Sequence, residues 1–454
     1  MGKHCTTMDK VFFSEIPVHD NINSQPNDGD RLQPPRKTNE NSTCIFKGFF
    51  FIFGFSVNFI HGLLTSATQD ILEGTDHPSS LVVILLNTPY ITVALILPYF
   101  IQRISPFGFA VSTFVSFEIS TGLSAFSRNN LQLFGLVLTS VSTGIAEVGF
   151  FSSSVFNEDV AVNIYTFGAG AGLFGGPLFY SAMTSWICIS PSTTLAAMLC
   201  FPPIVFIFHC YVAKKQGEAS GKENNSKRGV VYTLLPAQDT ENSDRKNRPS
   251  LTYRGRLYVC WKTLPVWIAL FLGNFCEILL LQSVATTLAF SNSSFDPGTH
   301  YVYYVTAESI GQLAGRSYGA IISSCFKINT TTRHVWIFSG ILVVDLFFLI
   351  YASWYRFLPN VWIVLSLMLV TGLSEGALFA NSFSNVPRGL SPHQVGFSRG
   401  LLTVAYGGGI LMAGFLGFST ETGLKSRCLQ TGTPAKYCIA RSMSGWSESS
   451  CARH

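Results

Sequence analysis

Six ionisable residues stand inside long apolar stretches of this sequence, where a charge is energetically expensive. They are Glu147, Glu277, Glu308, Arg316, Asp345 and Glu375. On the insertion scale a charge at the centre of a bilayer costs about 3 kcal/mol, so six facing lipid would cost about 18 kcal/mol. We therefore expect most of them to face one another or a shared aqueous cavity, where solutes and protons bind in membrane transport proteins.

Arg316 offers the most specific chemistry of this group. Glu308, Gln312 and Arg316 are four residues apart, so they share one face of a helix. The planar guanidinium donates several hydrogen bonds in a fixed fork and suits a phosphate or a carboxylate. The alternative is an internal clamp that locks two helix bundles together. Its candidate partners are Glu147, Glu277 and Glu375.

A polar stripe lies on the first apolar stretch. Asn58, His61, Thr65 and Gln69 fall at helical spacing on one face. His61 could be a titratable group in a cavity wall, because histidine changes charge between pH 5 and 8. The alternative is a seam of hydrogen bonds between helices with a neutral histidine. The sequence leaves both open.

These patterns define a candidate site for substrate binding or gating. Its residues are Asn58, His61, Glu147, Glu277, Gln282, Glu308, Gln312, Arg316, Glu375 and Asn381. Asp345 stands among apolar residues without polar company, and no role is assigned to it. The soluble-enzyme motifs G-x-x-x-x-G-K-[ST] and H-E-x-x-H are absent, and we predict no catalytic residue, no metal site and no cofactor. The scattered cysteines predict no disulfide framework either.

The stretch Thr139–Ser181 combines Glu147 with a glycine-rich run and predicts two helices joined by a short acidic turn. Gly168, Gly172 and Gly176 are four apart, so they stack on one helix face. Small residues at this spacing let two helix backbones approach closely within a membrane. We interpret these glycines as packing residues and not as a phosphate loop.

The composition indicates that these residues belong to a polytopic membrane protein. The chain has 454 residues, of which 48% are hydrophobic and 12% charged, against about 25% charged in soluble domains. Apolar runs of some 20 residues are long enough to cross about 30 Å of hydrocarbon. The eleven predicted spans are 48–68, 80–101, 106–126, 131–153, 161–184, 192–213, 263–284, 302–323, 334–354, 359–383 and 399–419.

The charged segments divide the chain into predicted regions. Residues 1–47 are a disordered tail, 48–213 a six-helix bundle, 214–262 a basic linker, 263–420 a second bundle and 421–454 a polar tail. This layout is typical of two-bundle transporters.

The distribution of lysine and arginine predicts the orientation. Basic residues concentrate in the N-terminal tail and the linker, which places both in the cytosol. Eleven spans then put the C-terminal tail on the far side despite Lys425, Arg427, Lys436 and Arg441, unless a twelfth crossing or a re-entrant segment exists. Of four N-x-[ST] sequons, Asn292 alone falls in a predicted non-cytosolic loop and is the expected glycosylation site. Tyr232 and Leu235 form a tyrosine-based sorting pattern for cytosolic adaptors.

Several stretches in order resemble the battenin family, the lysosomal membrane protein of juvenile neuronal ceroid lipofuscinosis. They include GFSVNFIHGLLTSATQDIL, STGIAEVGFF, FGAGAGLFGGPLFY, CEILLLQS, ESIGQLAGRS and FANSFSNV. The resemblance covers roughly residues 48–420 and implies a fold of the major facilitator or equilibrative nucleoside transporter type. It also implies residence in late endosomes and lysosomes, export of glycerophosphodiesters, and roles for Glu147, Glu277 and Arg316. Asn87, Leu95 and Thr371 stand where the family is expected to carry charged residues.

Two functions from different classes follow. The first is a secondary transporter of small anionic metabolites across the lysosomal membrane by alternating access, with protons as the candidate coupled ion. The second is a non-transporting membrane scaffold that regulates lysosomal pH and vesicle trafficking through its cytosolic segments. The expected partners are the lipid bilayer, an anionic metabolite and sorting adaptors. The positive net charge indicates membrane topology and not nucleic-acid binding.

Overall fold

A computed structural model describes most of the chain. The described residues are 40–72, 77–100, 106–126, 130–153, 159–207, 210, 253–293, 297–326, 334–384, 390 and 392–439. The first 39 residues and most of the predicted linker, including the sorting pattern at Tyr232 and Leu235, lie outside this part.

The described chain is helical, and each of the eleven predicted spans overlaps a helix. In chain order the helices are α1 Glu40–Ser66, α2 Thr68–Ile71, α3 Ser80–Phe100, α4 Pro106–Phe126, α5 Asn130–Ser153, α6 Asp159–Ser181, α7 Pro191–Ala196, α8 Tyr253–Leu279, α9 His300–Phe326, α10 Trp336–Tyr355, α11 Val361–Ser384 and α12 Pro392–Gln430. A 3₁₀ turn, Ala197–Cys200, continues α7 into helical residues 201–207. Helices α6 and α8 each run on into a π-helical segment, Ala182–Trp186 and Leu280–Val284.

The helices have the length and surface of membrane-spanning segments. Among the described residues, six helical segments are long and apolar enough to cross a bilayer. They are Gly48–Ser66, Ser80–Leu97, Arg254–Thr287, Trp336–Tyr355, Val361–Ser384 and Phe397–Gln430. Helix α10 directs Val344 and Phe347 outward with 69% and 67% of their surface exposed. An apolar surface of this kind is stable against lipid and not against water, so the chain is an all-helical, multi-pass membrane protein.

The helices pack as two sets with matching neighbours. In the first set α1 packs on α6, α3 on α5, and α4 on α5. In the second set α8 packs on α12, α9 on α11, and α10 on α11 in the same relation. The most extensive contacts between the sets are α3 with α12 and α6 with α9, and these also correspond. The packing is therefore repeated although no sequence repeat is visible.

Glycines hold the closest of these contacts. A Cβ atom added at Gly172 of α6 would collide with the Phe55 carbonyl of α1, and one at Gly168 would collide with the Phe51 carbonyl. Gly176 comes equally near the Phe59 carbonyl. The three glycines thus lie along the α1–α6 contact. In the second set Gly372 and Gly376 of α11 meet the backbone of α9 in the same manner.

The C-terminal end of α12 extends beyond the predicted span. Helix α12 continues to Gln430, and a disulfide joins Cys428 to Cys438. The Arg356 guanidinium donates to the carbonyls of Thr287, at 2.7 Å, and Tyr437, at 2.7 Å. The chain up to Ile439 therefore stays at the end where α8 and α10 finish, without a further crossing. The prediction that the cysteines form no disulfide was wrong.

We call this end of the molecule the Asn292 end. It comprises residues 65–72, 77–80, 181–190, 283–293, 297–300, 353–361 and 421–439, and the charge distribution predicts that it is non-cytosolic. A disulfide at this end is consistent with that orientation, because disulfides persist in oxidising compartments and are rare in the cytosol.

Candidate functional site

Glu147 of α5 is surrounded by polar side chains from three other helices of the first set. Tyr165 of α6 donates to its carboxylate at 2.9 Å, and Tyr90 of α3 donates at 3.1 Å. Asn58 of α1 donates at 3.4 Å, and it also donates to the Gly54 carbonyl. Three donors on one carboxylate stabilise its charged form and fix its position. Glu147 is therefore anchored by hydroxyl and amide groups and not by a direct ion pair with Arg316.

Arg316 of α9 makes its ion pair with Glu375 of α11. The guanidinium donates to the two carboxylate oxygens at 3.2 and 3.4 Å, and both side chains are at most 2% exposed. The guanidinium also lies 4.1 Å from the centre of the Phe379 ring, a cation–π distance. Of the three clamp partners that the sequence left open, the structure selects Glu375. Because both residues belong to the second set, the pair does not lock the two sets together, and that part of the clamp interpretation was wrong.

The first set nevertheless approaches Arg316 closely. A Cβ atom added at Gly170 of α6 would lie 3.3 Å from the Arg316 Cβ and Cδ atoms. Arg316 also acts electrostatically on Glu147 and on His61, both in the first set. The arginine is therefore held by one set and directed at the seam with the other. His61 itself is half-buried at this seam.

Glu277 of α8 and Glu308 of α9 form a second acidic pair near Arg316. Each is 3% exposed, and the two carboxyl groups are close enough to act on each other electrostatically. Carboxylates that lie close together repel each other. The site thus brings two further carboxyl groups into the electrostatic field of Arg316 and Glu375.

Several buried polar atoms around these pairs have no hydrogen-bond partner in the protein. Among the described residues they include Oε1 of Gln282, Glu308 and Gln312, Oδ1 of Asn274 and Nε of Arg316. A buried polar group left unpaired costs about 1–3 kcal/mol, so such a group is normally bonded to water or to a ligand. Glu308, Gln312 and Arg316 share one face of α9, so three of these atoms belong to the helix that carries the Arg316–Glu375 pair.

Other predicted residues lie elsewhere. Asn381 donates to the Tyr318 hydroxyl at 2.6 Å and to the Ala377 carbonyl at 2.7 Å. Asp345, for which the sequence indicates no partner, accepts a hydrogen bond from Thr371 at 2.7 Å. The polar stripe of α1 is interrupted because the helix ends at Ser66, so Gln69 stands on the separate short helix α2. Asn292 is exposed in the loop before α9.

Three tyrosines belong to the site and were missed by reasoning from the sequence. Tyr90 and Tyr165 hold Glu147, and Tyr406 of α12 interacts electrostatically with Arg316. The available signal was position. A tyrosine in mid-span must find a partner for its hydroxyl, as buried tyrosines usually do.

The arrangement has an excess of acid. Four glutamates, Glu147, Glu277, Glu308 and Glu375, face one arginine, so the site is negative unless protons neutralise some of the carboxylates. It can bind protons, and it can bind a polar solute through Arg316 when Glu375 is neutralised or displaced.

Comparison with known proteins shows which protein family the sequence resembles. The model of the family described as CLN3 protein matches residues 48–427. Protein BTN1 of Eremothecium gossypii is 28% identical over 412 residues, covering 85% of this chain and 97% of the relative. Battenin of Canis lupus familiaris is 26% identical over 416 residues, covering 85% and 92%.

Among solved structures, the major facilitator superfamily transporter FucP in its outward conformation matches 84% of this chain and 97% of its own. The identity is 14% and the TM-score 0.45. The family match extends over all the helices that carry the acidic site, and the chain belongs to the CLN3 family.

Proposed function

We propose that the protein is a secondary transporter that moves small anionic metabolites across the membrane by alternating access of the central site. The observation that carries this proposal is the Arg316–Glu375 pair beside unpaired buried polar atoms, at the seam between two sets of helices. Buried polar atoms without a protein partner are normally bonded to water or to a ligand, and two of them, Nε of Arg316 and Oε1 of Gln312, belong to α9 with the pair.

The charge of the site supports a role for protons. An anion entering beside four glutamates would be repelled unless carboxylates are neutralised first. Protonation of Glu375 would release the Arg316 guanidinium for a phosphate or carboxylate of the solute. Anion and proton would then occupy the site together, which couples the transport of the anion to the proton gradient.

The finer assignment is a lysosomal or late endosomal location and export of glycerophosphodiesters. One phosphate for Arg316 and several hydroxyls for Gln282, Gln312 and Asn58 fit the donors and acceptors present. Sorting adaptors at the cytosolic linker would deliver the protein to that membrane. Both assignments rest on the resemblance to battenin and on the chemistry of the site.

The test is export of glycerophosphodiesters from isolated lysosomes or from proteoliposomes. Arg316→Ala should abolish export, while Arg316→Lys, which keeps the charge without the fork, should retain a small part of it. Asp345→Asn is the matched control, because it removes a buried carboxylate that is bonded to Thr371 outside the acidic site. Normal export by Arg316→Ala at equal protein level would refute the proposed anion site. Absence of export from proteoliposomes that contain the unmodified protein would favour the membrane scaffold instead.

A further inference from the structure

The two sets of helices are joined at the Asn292 end by four hydrogen-bonded contacts that the function above does not use. They are Ser79–Glu421, Ser80–Ser283, Thr65–Tyr301 and Ser181–Thr306. In each contact one partner belongs to the first set and the other to the second.

The Ser79–Glu421 contact is the strongest of these. Glu421 of α12 accepts from the Ser79 backbone N–H at 2.8 Å and from the Ser79 hydroxyl at 3.2 Å. The carboxylate is 2% exposed and lies at the N-terminus of α3, where the helix dipole favours a negative charge. Hydrogen bonds to a charged acceptor are roughly twice as strong as those between neutral groups. The other three contacts join neutral groups, at 3.0 Å for Ser80–Ser283.

The four contacts follow the packing repeat of the fold. Glu421 near the end of α12 contacts the start of α3. In the same way, Ser181 at the end of α6 contacts Thr306 in the second turn of α9. Ser283 beyond α8 meets the start of α3, as Thr65 in the last turn of α1 meets the start of α9 at Tyr301. Two symmetric pairs of contacts therefore close the same end of the seam from both sides.

We propose that these contacts form a gate that closes the Asn292 end of the central site, with Glu421 as its main latch. The inference rests on the proposed function, because a gate has meaning only for a site that opens alternately to two sides. The contacts must separate before Arg316 and the acidic pairs can face the compartment at the Asn292 end. The structure thus represents a state closed toward that compartment.

Gly417 shows how little space the closed gate leaves. It stands four residues before Glu421 on the same face of α12, and an added Cβ atom would collide with the hydroxyls of Ser80 and Ser283. A methyl group at this position would displace the two hydroxyls and break the Ser80–Ser283 contact of the gate.

Cross-linking tests whether the gate exists in the membrane. The Ser80 and Ser283 hydroxyls are 3.0 Å apart, so cysteines at both positions are close enough for a disulfide. A protease site within residues 214–252 would separate the two halves, which should stay together on a non-reducing gel in the Ser80→Cys, Ser283→Cys protein. Each single variant is the control for the native cysteines. Absence of the cross-link in folded protein would overturn the gate.

Accessibility tests whether Glu421 holds the gate shut. Ser309 lies three residues beyond Thr306 on α9 and is 2% exposed, so Ser309→Cys reports on the space behind the gate. A membrane-impermeant thiol reagent is applied to sealed proteoliposomes, followed by external protease. The linker is predicted to lie on the side opposite the Asn292 end. Molecules whose 214–252 site escapes the protease therefore have their Asn292 end outward. Modification of the introduced thiol is measured in these molecules alone.

Glu421→Ala should raise the rate of modification about tenfold, since two hydrogen bonds to a charge are lost. Gly417→Ala should raise it as well, which keeps the test valid if Glu421→Ala folds poorly. Thr422→Ala is the matched control, because Thr422 is exposed and bonds to the Phe418 carbonyl of its own helix. Unchanged rates in both gate variants, or an equal rise in Thr422→Ala, would refute the latch.

Neither measurement uses transport. If the cross-link forms and the thiol of Ser309→Cys is protected, but the protein exports no glycerophosphodiester, the substrate assignment is refuted and the gate is not.

Discussion

The Arg316–Glu375 pair makes a prediction that separates stability from function. Both side chains are at most 2% exposed, so removing one partner leaves an uncompensated buried charge. Breaking such a pair costs about 3–5 kcal/mol, whereas replacing both partners by apolar residues of similar volume is often neutral. We therefore expect Glu375→Leu alone and Arg316→Met alone to be strongly destabilised. The double variant should recover most of the loss.

The assay is thermal unfolding of purified protein in detergent, combined with glycerophosphodiester export. Stability should follow the pairing of charges, falling in each single variant and returning in the double variant. Export should be lost in all three variants. Two of them lack Arg316, which would bind the anion, and Glu375→Leu lacks the carboxylate whose protonation would release Arg316. The Phe379 ring lies 4.1 Å from the guanidinium of Arg316. It would also pack against the side chain introduced by Arg316→Met, so the recovery of stability in the double variant does not depend on a cation–π contact.

Two results would contradict this reasoning. If both single variants are as stable as the parent, the charges are hydrated and the pair is not buried as the structure shows. If the double variant is stable and exports normally, Arg316 serves packing alone. Comparing the single and double variants isolates the coupling between the two residues, because no third residue changes.

Four further predictions use other parts of the molecule. Glu147→Gln should leave the protein folded, because the amide oxygen can accept from one tyrosine while the amide N–H donates to the hydroxyl oxygen of the other. It should remove the dependence of export on the proton gradient, measured in proteoliposomes with and without the gradient. Gly372→Ala should lower the thermal stability, because the added methyl group meets the α9 backbone, whereas Gly340→Ala on α10, with open space around it, should be neutral or stabilising by up to about 1 kcal/mol. Asn292→Gln should abolish the glycosidase-sensitive mass shift on a gel, which a persistent shift would contradict. Cys428→Ser should increase cleavage of the tail by a protease acting from the Asn292 end, and no effect would argue against a docked tail.

The sequence predicts the helices of this fold well because lipid imposes a simple rule. A span must be apolar over some 20 residues, and each predicted span overlaps a helix. The end of α12 was missed because the helix continues to Gln430 through polar residues such as Glu421 and Lys425. Those residues are helical because they pack on the loops at the Asn292 end, a tertiary effect that hydropathy does not contain.

The residues of the candidate site were partly predictable for a different reason. An ionisable residue within an apolar run is conspicuous, so Glu147, Glu277 and Arg316 stand out from the sequence alone. Their partners do not, because partners come from other helices. Tyr90 and Tyr165 reach Glu147 from α3 and α6, and nothing in the local sequence indicates that these helices meet.

The placement of the charges bears on how the two sets of helices could move. The strong ion pair, Arg316–Glu375, lies within the second set, and the anchored carboxylate Glu147 lies within the first. Rocking one set against the other therefore breaks neither arrangement. What crosses the seam at the Asn292 end is one carboxylate, Glu421, and a few hydroxyl groups worth about 1 kcal/mol each. A membrane protein built to hold one shape would place its strongest bonds across the seam. In this protein the strongest bonds lie within each set of helices and not across the seam. Opening the gate therefore costs an amount of free energy that a bound solute or a proton can offset.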